Sequence, residues 1–121
     1  MSLSQGFNNQ RIVVISANEL TPKVKEQIDK LRKKPLQLEE RKLAVFTLID
    51  GEVTSIFNVK EDSKYFVENN ISSFTTSSSF QTFLIGLDQS IKQKYLDIVE
   101  PKILFEIIDS MPMRQAEMKK N

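Results

Sequence analysis

The sequence contains no cysteine, no histidine and no tryptophan. Without cysteine it forms no disulfide, no thiolate nucleophile and no redox-active CxxC pair, and without cysteine and histidine it lacks the ligands of most zinc sites. Imidazole bases are excluded as well. Any catalysis would therefore depend on serine, threonine, lysine, tyrosine or carboxylate side chains, and the sequence predicts neither a metal ion nor another cofactor.

A large excess of one charge sign and long hydrophobic runs are also missing. Lysine and arginine total 17 against 16 aspartates and glutamates, so the chain has no overall field of the kind that attracts nucleic acid. No stretch approaches the roughly 18 apolar residues that span a bilayer. A hydrophobic content of 40% in 121 residues is typical of one globular domain with a single core.

The N-terminus is polar and shows no signal peptide. Residues 1–10 are predicted to be a disordered or vector-derived leader, which could have replaced a native one. Residues 11–121 are predicted to form a single domain that includes the C-terminal segment MPMRQAE. Composition alone leaves the cellular compartment open.

The apolar pattern of the first half predicts a βαβ unit. Four consecutive β-branched residues favour a buried strand over residues 11–17. Thr21 is the predicted N-cap of a helix that carries one apolar stripe and ends before Pro35. Residues 36–41 are predicted to be a polar connection to a second strand at 42–49, which should lie parallel to the first.

The second half is predicted to contain two hairpins and two helices. Asp50-Gly51 is a strong turn signal before a third strand-like run at 53–59. The later elements are a short helix capped by Asp62 or Ser63, a Ser/Thr-rich connection at 71–79, strands at 80–87 and 91–98, and a final helix from Pro101 that Pro112 interrupts. The last strand has no clean apolar face, which indicates an edge strand.

The element order β-α-β-(β)-α-β-β-α predicts an α/β protein, a three-layer sandwich with a mixed central sheet. A leading βαβ unit followed by a hairpin and a terminal helix is the plan of a thioredoxin-like fold. A ferredoxin-like α+β sandwich is the alternative, and it accommodates the final β-β-α order less easily.

Four stretches of the sequence resemble one protein family. The segment IDSMPMRQAEM at residues 108–118 is similar to the signature tail of the domain-of-unknown-function family 4174, a thioredoxin/peroxiredoxin-like group. The other stretches are RIVVIS at 11–16, ERKL at 40–43 and FQTFLIG at 80–86. An aspartate and a lysine that follow the last stretch match Asp88 and Lys92, although the turn between them departs from the family's glycine-rich pattern.

The resemblance implies a thioredoxin-like domain without an established reaction. Such domains often occur in exported bacterial proteins, and the chain is also similar to a domain of vertebrate extracellular-matrix and sushi-repeat proteins. On this basis the protein is expected to be exported, either to the periplasm or out of the cell.

In a thioredoxin-like fold the reactive thiol lies between the first strand and the first helix, where the helix N-terminus lowers its pKa. The corresponding positions are Ser16, Ala17, Asn18 and Thr21, and none of them carries sulfur. Residues 77–80, where the cis-proline of that fold is expected, contain no proline. Thiol oxidoreductase and thiol peroxidase chemistry is therefore excluded.

The C-terminal segment is the most distinctive candidate for a binding site. Its candidate residues are Asp109, Met111, Pro112, Met113, Arg114 and Glu117. In a structural role, Arg114 would pair with Asp109 or Glu117 and anchor the segment. In a recognition role, the two adaptable methionines and the guanidinium group would contact a partner.

The first helix has a local excess of positive charge. Its cations are Lys23, Lys25, Lys30, Arg32, Lys33 and Lys34, against Glu26 and Asp29. No aromatic residue is interleaved to stack on bases, so the pattern favours a solvated face over a nucleic-acid surface.

These patterns together predict a non-catalytic, redox-inactive module that binds an unknown protein or polymer partner. The alternative is an enzyme that uses serine, lysine or carboxylate chemistry at the entrance of the first helix. That alternative requires a pocket there, with lysine or glutamate side chains converging in it.

Overall fold

The computed structural model describes residues 9–75 and 79–119, which form an α/β structure around a five-stranded mixed sheet. The strands are β1 (Arg11–Ala17), β2 (Leu43–Ile49), β3 (Glu52–Phe57), β4 (Gln81–Ile85) and β5 (Ile91–Tyr95). The helices are α1 (Pro22–Arg32), α2 (Pro35–Glu40), α3 (Glu61–Glu68), α4 (Ile71–Phe74), α5 (Pro101–Asp109) and α6 (Pro112–Lys119). The predicted α/β class with a mixed sheet is confirmed. Residues 1–8 of the predicted leader and 76–78 of the predicted connection lie outside the described residues.

The strand order in the sheet is β3-β2-β1-β4-β5. β1 pairs in parallel with β2, with Val13 opposite Val45, and antiparallel with β4. The predicted parallel pairing is therefore confirmed, and so are the hairpins β2–β3 and β4–β5. The apolar run of β1 suits the central position, where it is buried throughout, whereas β5 lies at an edge as predicted.

Two local signals in the sequence act as predicted. Thr21 caps α1, because its side-chain oxygen accepts a hydrogen bond from the Val24 N–H at 3.4 Å. Asp50 and Gly51 have φ angles of 50° and 80°, the left-handed conformation that a two-residue hairpin turn with Asp-Gly adopts. The sequence therefore specified both the start of α1 and the reversal between β2 and β3.

Apolar side chains on both faces of the sheet pack against helices. On one face, Val13 and Val45 of the central strands belong to a buried cluster with Leu31 of α1 and Leu104 of α5. The cluster on the other face contains Ile12, Val14, Phe46 and Phe83 together with Val67 of α3 and Phe74 of α4. The central strands can supply both clusters because successive side chains of a strand point to opposite faces.

Two predictions about irregular segments were wrong, and a third, at Pro112, was correct but incomplete. Residues 36–41 were predicted to be a connection, but α2 begins at Pro35 and buries Leu38. The predicted connection at 71–79 begins with the short helix α4, which buries Phe74. Pro112 interrupts the preceding helix as predicted, but it also begins α6, because proline suits the first position of a helix.

The cap of α3 also differs from prediction. The N-cap position of α3 is Lys60, and neither Asp62 nor Ser63 caps it. Ser63 is instead buried and donates a hydrogen bond to Gln10 Oε1 at 2.7 Å. Gln10, which was predicted to belong to the leader, is itself buried.

Candidate functional site

Three arginines from distant parts of the sequence meet beside α6. Arg11 begins β1, Arg41 follows α2, and Arg114 lies in α6. They form ion pairs or hydrogen bonds with three carboxylates, and Arg11 also donates to the Arg41 carbonyl oxygen. We call the six residues the arginine cluster. Its members are Arg11, Glu40, Arg41, Asp109, Arg114 and Glu117.

Arg114 is the most extensively paired member of the arginine cluster. Its guanidinium donates to Asp109 Oδ1 at 3.0 Å, to Glu40 Oε2 at 2.8 Å and to Glu117 Oε1 at 3.4 Å. The residue is only 3% exposed. The predicted pairing of Arg114 with Asp109 or Glu117 is therefore present with both, and the guanidinium serves to hold α6 in place.

Asp109 links Arg114 to Arg41. Arg41 donates from Nε at 3.0 Å and from Nη2 at 2.8 Å to the two carboxylate oxygens of Asp109, and its guanidinium lies 4.4 Å from the centre of the Phe105 ring. Partial burial raises the pKa of Asp109, but hydrogen bonds from the two arginines outweigh this and lower it below its ordinary value. Asp109 is therefore held as a carboxylate.

Arg11 is the most deeply buried member, at 1% exposure. Its Nη1 donates to the Arg41 carbonyl oxygen at 2.9 Å, and its Nη1 and Nη2 donate to the Glu117 carboxylate at 3.3 and 3.4 Å. The Arg11 Nε–H is buried and has no hydrogen-bond partner. An N–H group without an acceptor is uncommon in a folded interior and calls for a physical reason.

A cavity of about 350 Å³ lies next to Arg11, and we call it the tail cavity. It is lined by Arg11, Gly86, Leu87, Asp88, Lys92, Met111, Pro112 and Met113. One wall therefore comes from the turn between β4 and β5, and the opposite wall comes from the start of α6. The tail cavity therefore combines apolar side chains with one buried cation, Arg11, and one ion pair, Asp88 with Lys92.

The ion pair of the tail cavity organises the turn between β4 and β5. Lys92 Nζ lies 2.8 Å from Asp88 Oδ2, and Asp88 Oδ1 accepts hydrogen bonds from the backbone and hydroxyl of Ser90. A Cβ at Gly86 would lie 2.6 Å from Lys92 Cε, so glycine leaves room for the lysine side chain. Gln89 adopts a φ of 68°, so the left-handed position of this turn is occupied by a residue other than glycine.

Asp88 is expected to titrate at unusually low pH. The hydrogen bond from Lys92 is the main cause that lowers the pKa of Asp88 from 3.8 to about 2. Because the folded pKa is the lower one, the stabilising contribution of this carboxylate is present above pH 3.8 and is lost as the pH falls towards 2. NMR titration of the side-chain carboxyl carbon measures this pKa.

The control for this titration is Lys92→Met, which removes the ammonium group and retains most of the side-chain length. In that variant the Asp88 midpoint should move back towards 3.8. An Asp88 midpoint that is the same in both proteins would contradict the assigned cause.

The C-terminal candidate residues fall into two groups in the structure. Asp109, Arg114 and Glu117 pair with one another and with other members of the arginine cluster. The second group, Met111, Pro112 and Met113, lines the tail cavity, and Met113 is 47% exposed. The first group therefore anchors α6, and the second is the part that can contact another molecule.

The predicted position of the lost thiol is a small hollow of about 100 Å³ at the carboxyl ends of β1 and β2. Ser16 is buried there, Asn18 is exposed, and the hydroxyl of Thr21 is used as the cap of α1. Among the described residues that line the hollow, Asp50 is ionisable and neither lysine nor glutamate occurs. The hollow itself therefore does not supply the converging lysine or glutamate side chains of the enzyme alternative.

Two lysines of α1 have acidic partners outside the helix. Lys23 pairs with Asp97 at 3.1 Å, and Lys30 pairs with Glu100 at 2.9 Å. The hydrogen bond that Lys30 donates to the Glu100 carboxylate is the main cause that raises the pKa of Lys30. These contacts agree with the interpretation of α1 as a solvated face.

Two absences hold for residues 9–75 and 79–119. In that part of the chain, no group of three or more carboxylates is placed to hold a metal ion. None of the helices described there has the length and apolar character needed to cross a membrane.

Sequence reasoning missed Arg11, Arg41 and Leu87 as parts of this site. Arg11 is the first residue of one apolar strand, and Arg41 lies just before another. A charged residue at such a position is normally interpreted as a solvent-exposed strand end. The available signal was their place in the family-like stretches RIVVIS and ERKL. Because both arginines are far from α6 in the sequence, their contacts with the residues in and beside α6 were not predicted.

Comparison with known protein families gave one match. The sequence model of the family described as "Domain of unknown function (DUF4174)" matches residues 2–117. Searches of curated proteins and of solved structures gave no match. The matched region includes every residue of the arginine cluster and the tail cavity.

Proposed function

The chain belongs to the DUF4174 family, a family defined by a domain of unknown function, and we propose that the chain is a redox-inactive, thioredoxin-like interaction module. It binds a protein or polymer partner and catalyses no reaction of its own. The partner contacts the rim of the tail cavity, where Pro112 and Met113 of α6 are exposed.

The observation that carries this proposal is the convergence of the family-like stretches at one end of the sheet. The stretches at 11–16, 40–43 and 108–118 supply the arginine cluster, and 80–86 with Asp88 and Lys92 supplies the turn beside the tail cavity. Residues that resemble the family pattern thus surround a surface site instead of filling only the core.

The strand arrangement supports the thioredoxin-like part of the proposal. β1 and β2 are parallel, α1 follows β1, and the later hairpin β4–β5 joins the sheet beside β1. The hollow at the position of the lost thiol lies at the carboxyl end of β1, whereas Arg11 begins the same strand. Arg11 and Ala17, the two ends of β1, are six residues apart, which corresponds to roughly 20 Å along the strand. The proposed binding site is therefore remote from the position of the lost thiol.

The chemistry of the rim favours contact with an apolar group of a partner. Methionine is flexible and polarisable, so Met113 can adapt its shape to a partner side chain. Arg114 is buried and paired, so it acts as a positioning residue that fixes α6 and does not contact the partner itself. Export of the protein stays a prediction from the family resemblance.

The proposal is tested by a charge placed on the rim. Met113→Asp is expected to abolish capture of the partner from extracts of the native source, because the introduced carboxylate would have to be desolvated in an apolar contact. Capture is measured by cross-linking to tagged protein and quantitative mass spectrometry. The folding of each variant is checked by its thermal midpoint.

The matched control is Ile103→Asp, which changes an apolar residue of similar exposure, 43%, on the neighbouring helix α5. A protein that is captured by the wild type and by Ile103→Asp, but not by Met113→Asp, supports the proposal. Equal capture by all three proteins, or turnover of a substrate that Asp50→Asn abolishes, would overturn it.

A further inference from the structure

The two edges of the sheet differ in how they are protected against pairing with another strand. Among the described residues, β3 and β5 are the edge strands. β5 carries Lys92 and Lys94, and lysine on an edge strand discourages the addition of a further strand. The β3 sequence EVTSIF contains neither lysine nor proline, and its one charged residue, Glu52, lies at its start. β3 is therefore the edge that can pair with an additional strand.

The outer side of β3 presents backbone groups over a short regular stretch. The pairing with β2 is regular from Glu52 to Ser55, and Ile56 is the extra residue of the irregularity that follows. The two-residue turn makes the first pair of the hairpin, Ile49 with Glu52, a hydrogen-bonded one. Because hydrogen-bonded and non-hydrogen-bonded pairs alternate, the N–H and C=O groups of Val53 and Ser55 point away from β2. An extended segment can pair with these groups through its own backbone.

An apolar groove lies beside the same strand, between β3 and the helices α1 and α2, and we call it the β3 groove. It consists of two hollows of about 530 and 390 Å³, and Arg32 lines both. β2 and β3 form the floor of the larger hollow, and α1 forms its wall. Its apolar lining includes Leu20, Ile28 and Ile56 in the larger hollow and Leu36 and Phe57 in the smaller one. A strand added to β3 would place alternate side chains beside this lining.

Two leucines of the β3 groove are exposed. Leu20 is 57% exposed and Leu36 is 74% exposed. A single exposed leucine is common on a protein surface and needs no explanation. These two, however, line adjoining hollows beside an open strand edge, so together they form one apolar surface that a partner would cover.

The helical wall of the β3 groove carries an excess of positive charge. Arg32 is paired with Asp29 at 3.5 Å. Within residues 9–75 and 79–119, the three lysines of this wall and of the junction between α1 and α2 form no ion pair. The charged residues of the wall and junction are Lys25, Arg32, Lys33 and Lys34 against Asp29 and Glu39. The unpaired lysines favour a partner that brings carboxylates.

Neither the ends of this chain nor a second copy of it supplies that negative charge. Residues 1–8 and 120–121 contain no aspartate or glutamate. Two copies that paired through β3 about a two-fold axis perpendicular to the sheet would bring both α1 helices to the same side of the joined sheet. The unpaired lysines of the two helices would then repel each other. The charge therefore favours a different, acidic protein as the occupant.

We propose that the β3 groove binds an extended acidic segment of a partner protein, which pairs with β3 as a sixth strand of the sheet. The backbone of the segment bonds to Val53 and Ser55, its alternate apolar side chains pack against the groove, and one of its carboxylates lies near Lys25. The β3 groove shares no lining residue with the tail cavity. This second surface is therefore independent of the proposed function.

Binding is tested by NMR titration of the full chain with the peptide acetyl-Asp-Thr-Ile-Thr-Val-Thr-Asp-amide, whose aspartate, isoleucine and valine side chains share one face of a strand. The amide signals of Val53 and Ser55 and the methyl signals of Leu20 should shift in a saturable way. The amide signal of Gln93, on the opposite edge strand, should not move. The same peptide with lysine in place of both aspartates should bind about fivefold more weakly. No saturable shift at millimolar peptide, or equal binding of the two peptides, would overturn the proposal.

N-methylated peptides distinguish strand addition from contact through side chains alone. One version is methylated on the backbone nitrogens of its threonines, and the other on those of its isoleucine and valine. In a strand these two sets of N–H groups point in opposite directions, so only one set can face β3. One version should therefore lose binding about tenfold or more, while the other keeps it. An equal effect of both methylation patterns would contradict strand addition.

Variants of the protein locate the peptide, with the thermal midpoint of each as the check on folding. Leu20→Asp should weaken binding about tenfold, whereas Leu96→Asp, at a residue of similar exposure, 67%, that follows β5, should not. Lys25→Glu should reduce the preference for the aspartate peptide. Lys64→Glu, on α3 at the other face of the sheet, should leave that preference unchanged. Full affinity in Leu20→Asp, or an unchanged preference in Lys25→Glu, would overturn the location.

The remaining outcomes identify other occupants. If sedimentation shows a dimer of the chain that Ser55→Lys abolishes, the occupant is a second copy and the proposal is wrong. If a thymidine trinucleotide shifts the same signals as strongly as the aspartate peptide, the surface binds anions in general and the proposal is also wrong. Met113→Asp should bind the peptide as the wild type does. If the peptide does not bind and Met113→Asp still abolishes partner capture, this proposal fails and the proposed function stands.

Discussion

Replacing Arg114 by alanine is expected to lower the free energy of unfolding by about 3 kcal/mol, near the lower end of the range for breaking a buried ion pair. The guanidinium is 3% exposed and bonds to Asp109, Glu40 and Glu117. Its removal leaves these carboxylates with fewer donors and releases the main attachment of α6. The loss of stability is limited because Arg41 still donates to Asp109 and Arg11 still donates to Glu117.

The Arg114→Ala prediction is checked by urea unfolding at neutral pH, with Arg32→Ala as the control. Arg32 has a side chain that is 62% exposed and pairs with Asp29 at 3.5 Å, so its replacement should cost less than about 1 kcal/mol. If Arg114→Ala is as stable as the wild type but no longer captures the partner, the guanidinium is a recognition group and the anchoring role is wrong.

Replacing Phe74 by alanine is expected to lower the free energy of unfolding by about 3–5 kcal/mol, the usual cost of truncating a buried phenylalanine. Phe74 is 1% exposed, and its ring centre lies 5.5 Å from that of Phe83 and 6.2 Å from that of Phe66. The variant would leave a cavity under α4 and lose an edge-to-face contact with β4.

The control for Phe74→Ala is Tyr65→Ala on the neighbouring helix α3. Tyr65 is 70% exposed, so its truncation should change the free energy of unfolding by about 0.5 kcal/mol or less. Thermal or chemical unfolding of both variants gives the comparison. Similar stability of the two variants would show that Phe74 is not part of the core.

The site was predicted less completely than the fold because ion pairs leave no periodic signal. The residues at 108–118 were singled out, and the pairing of Arg114 with Asp109 and Glu117 was foreseen because all three lie within nine positions. The contribution of Arg41 was not foreseen, since it lies 68 positions from Asp109. Leu87 was also not foreseen, since it is far in sequence from the α6 residues that line the same cavity.

The apolar pattern of the sequence also did not predict the short helices. A helix needs about two turns before its apolar stripe becomes visible, and α4 has four residues. Its one fully buried side chain, Phe74, determines how that segment packs. The choice between connection and helix was therefore made by the tertiary packing of Phe74.

The sequence by itself determined the chemistry that is excluded and the order of the main elements. The absence of cysteine removes thiol chemistry in any fold, and the β-branched run of β1, the cap at Thr21 and the Asp50-Gly51 turn act through local sterics and hydrogen bonds. The tertiary structure alone decided that Arg11 is buried beside a cavity under α6. Such a contact depends on strand pairing and helix docking between residues that are far apart in the chain, and no local pattern encodes it.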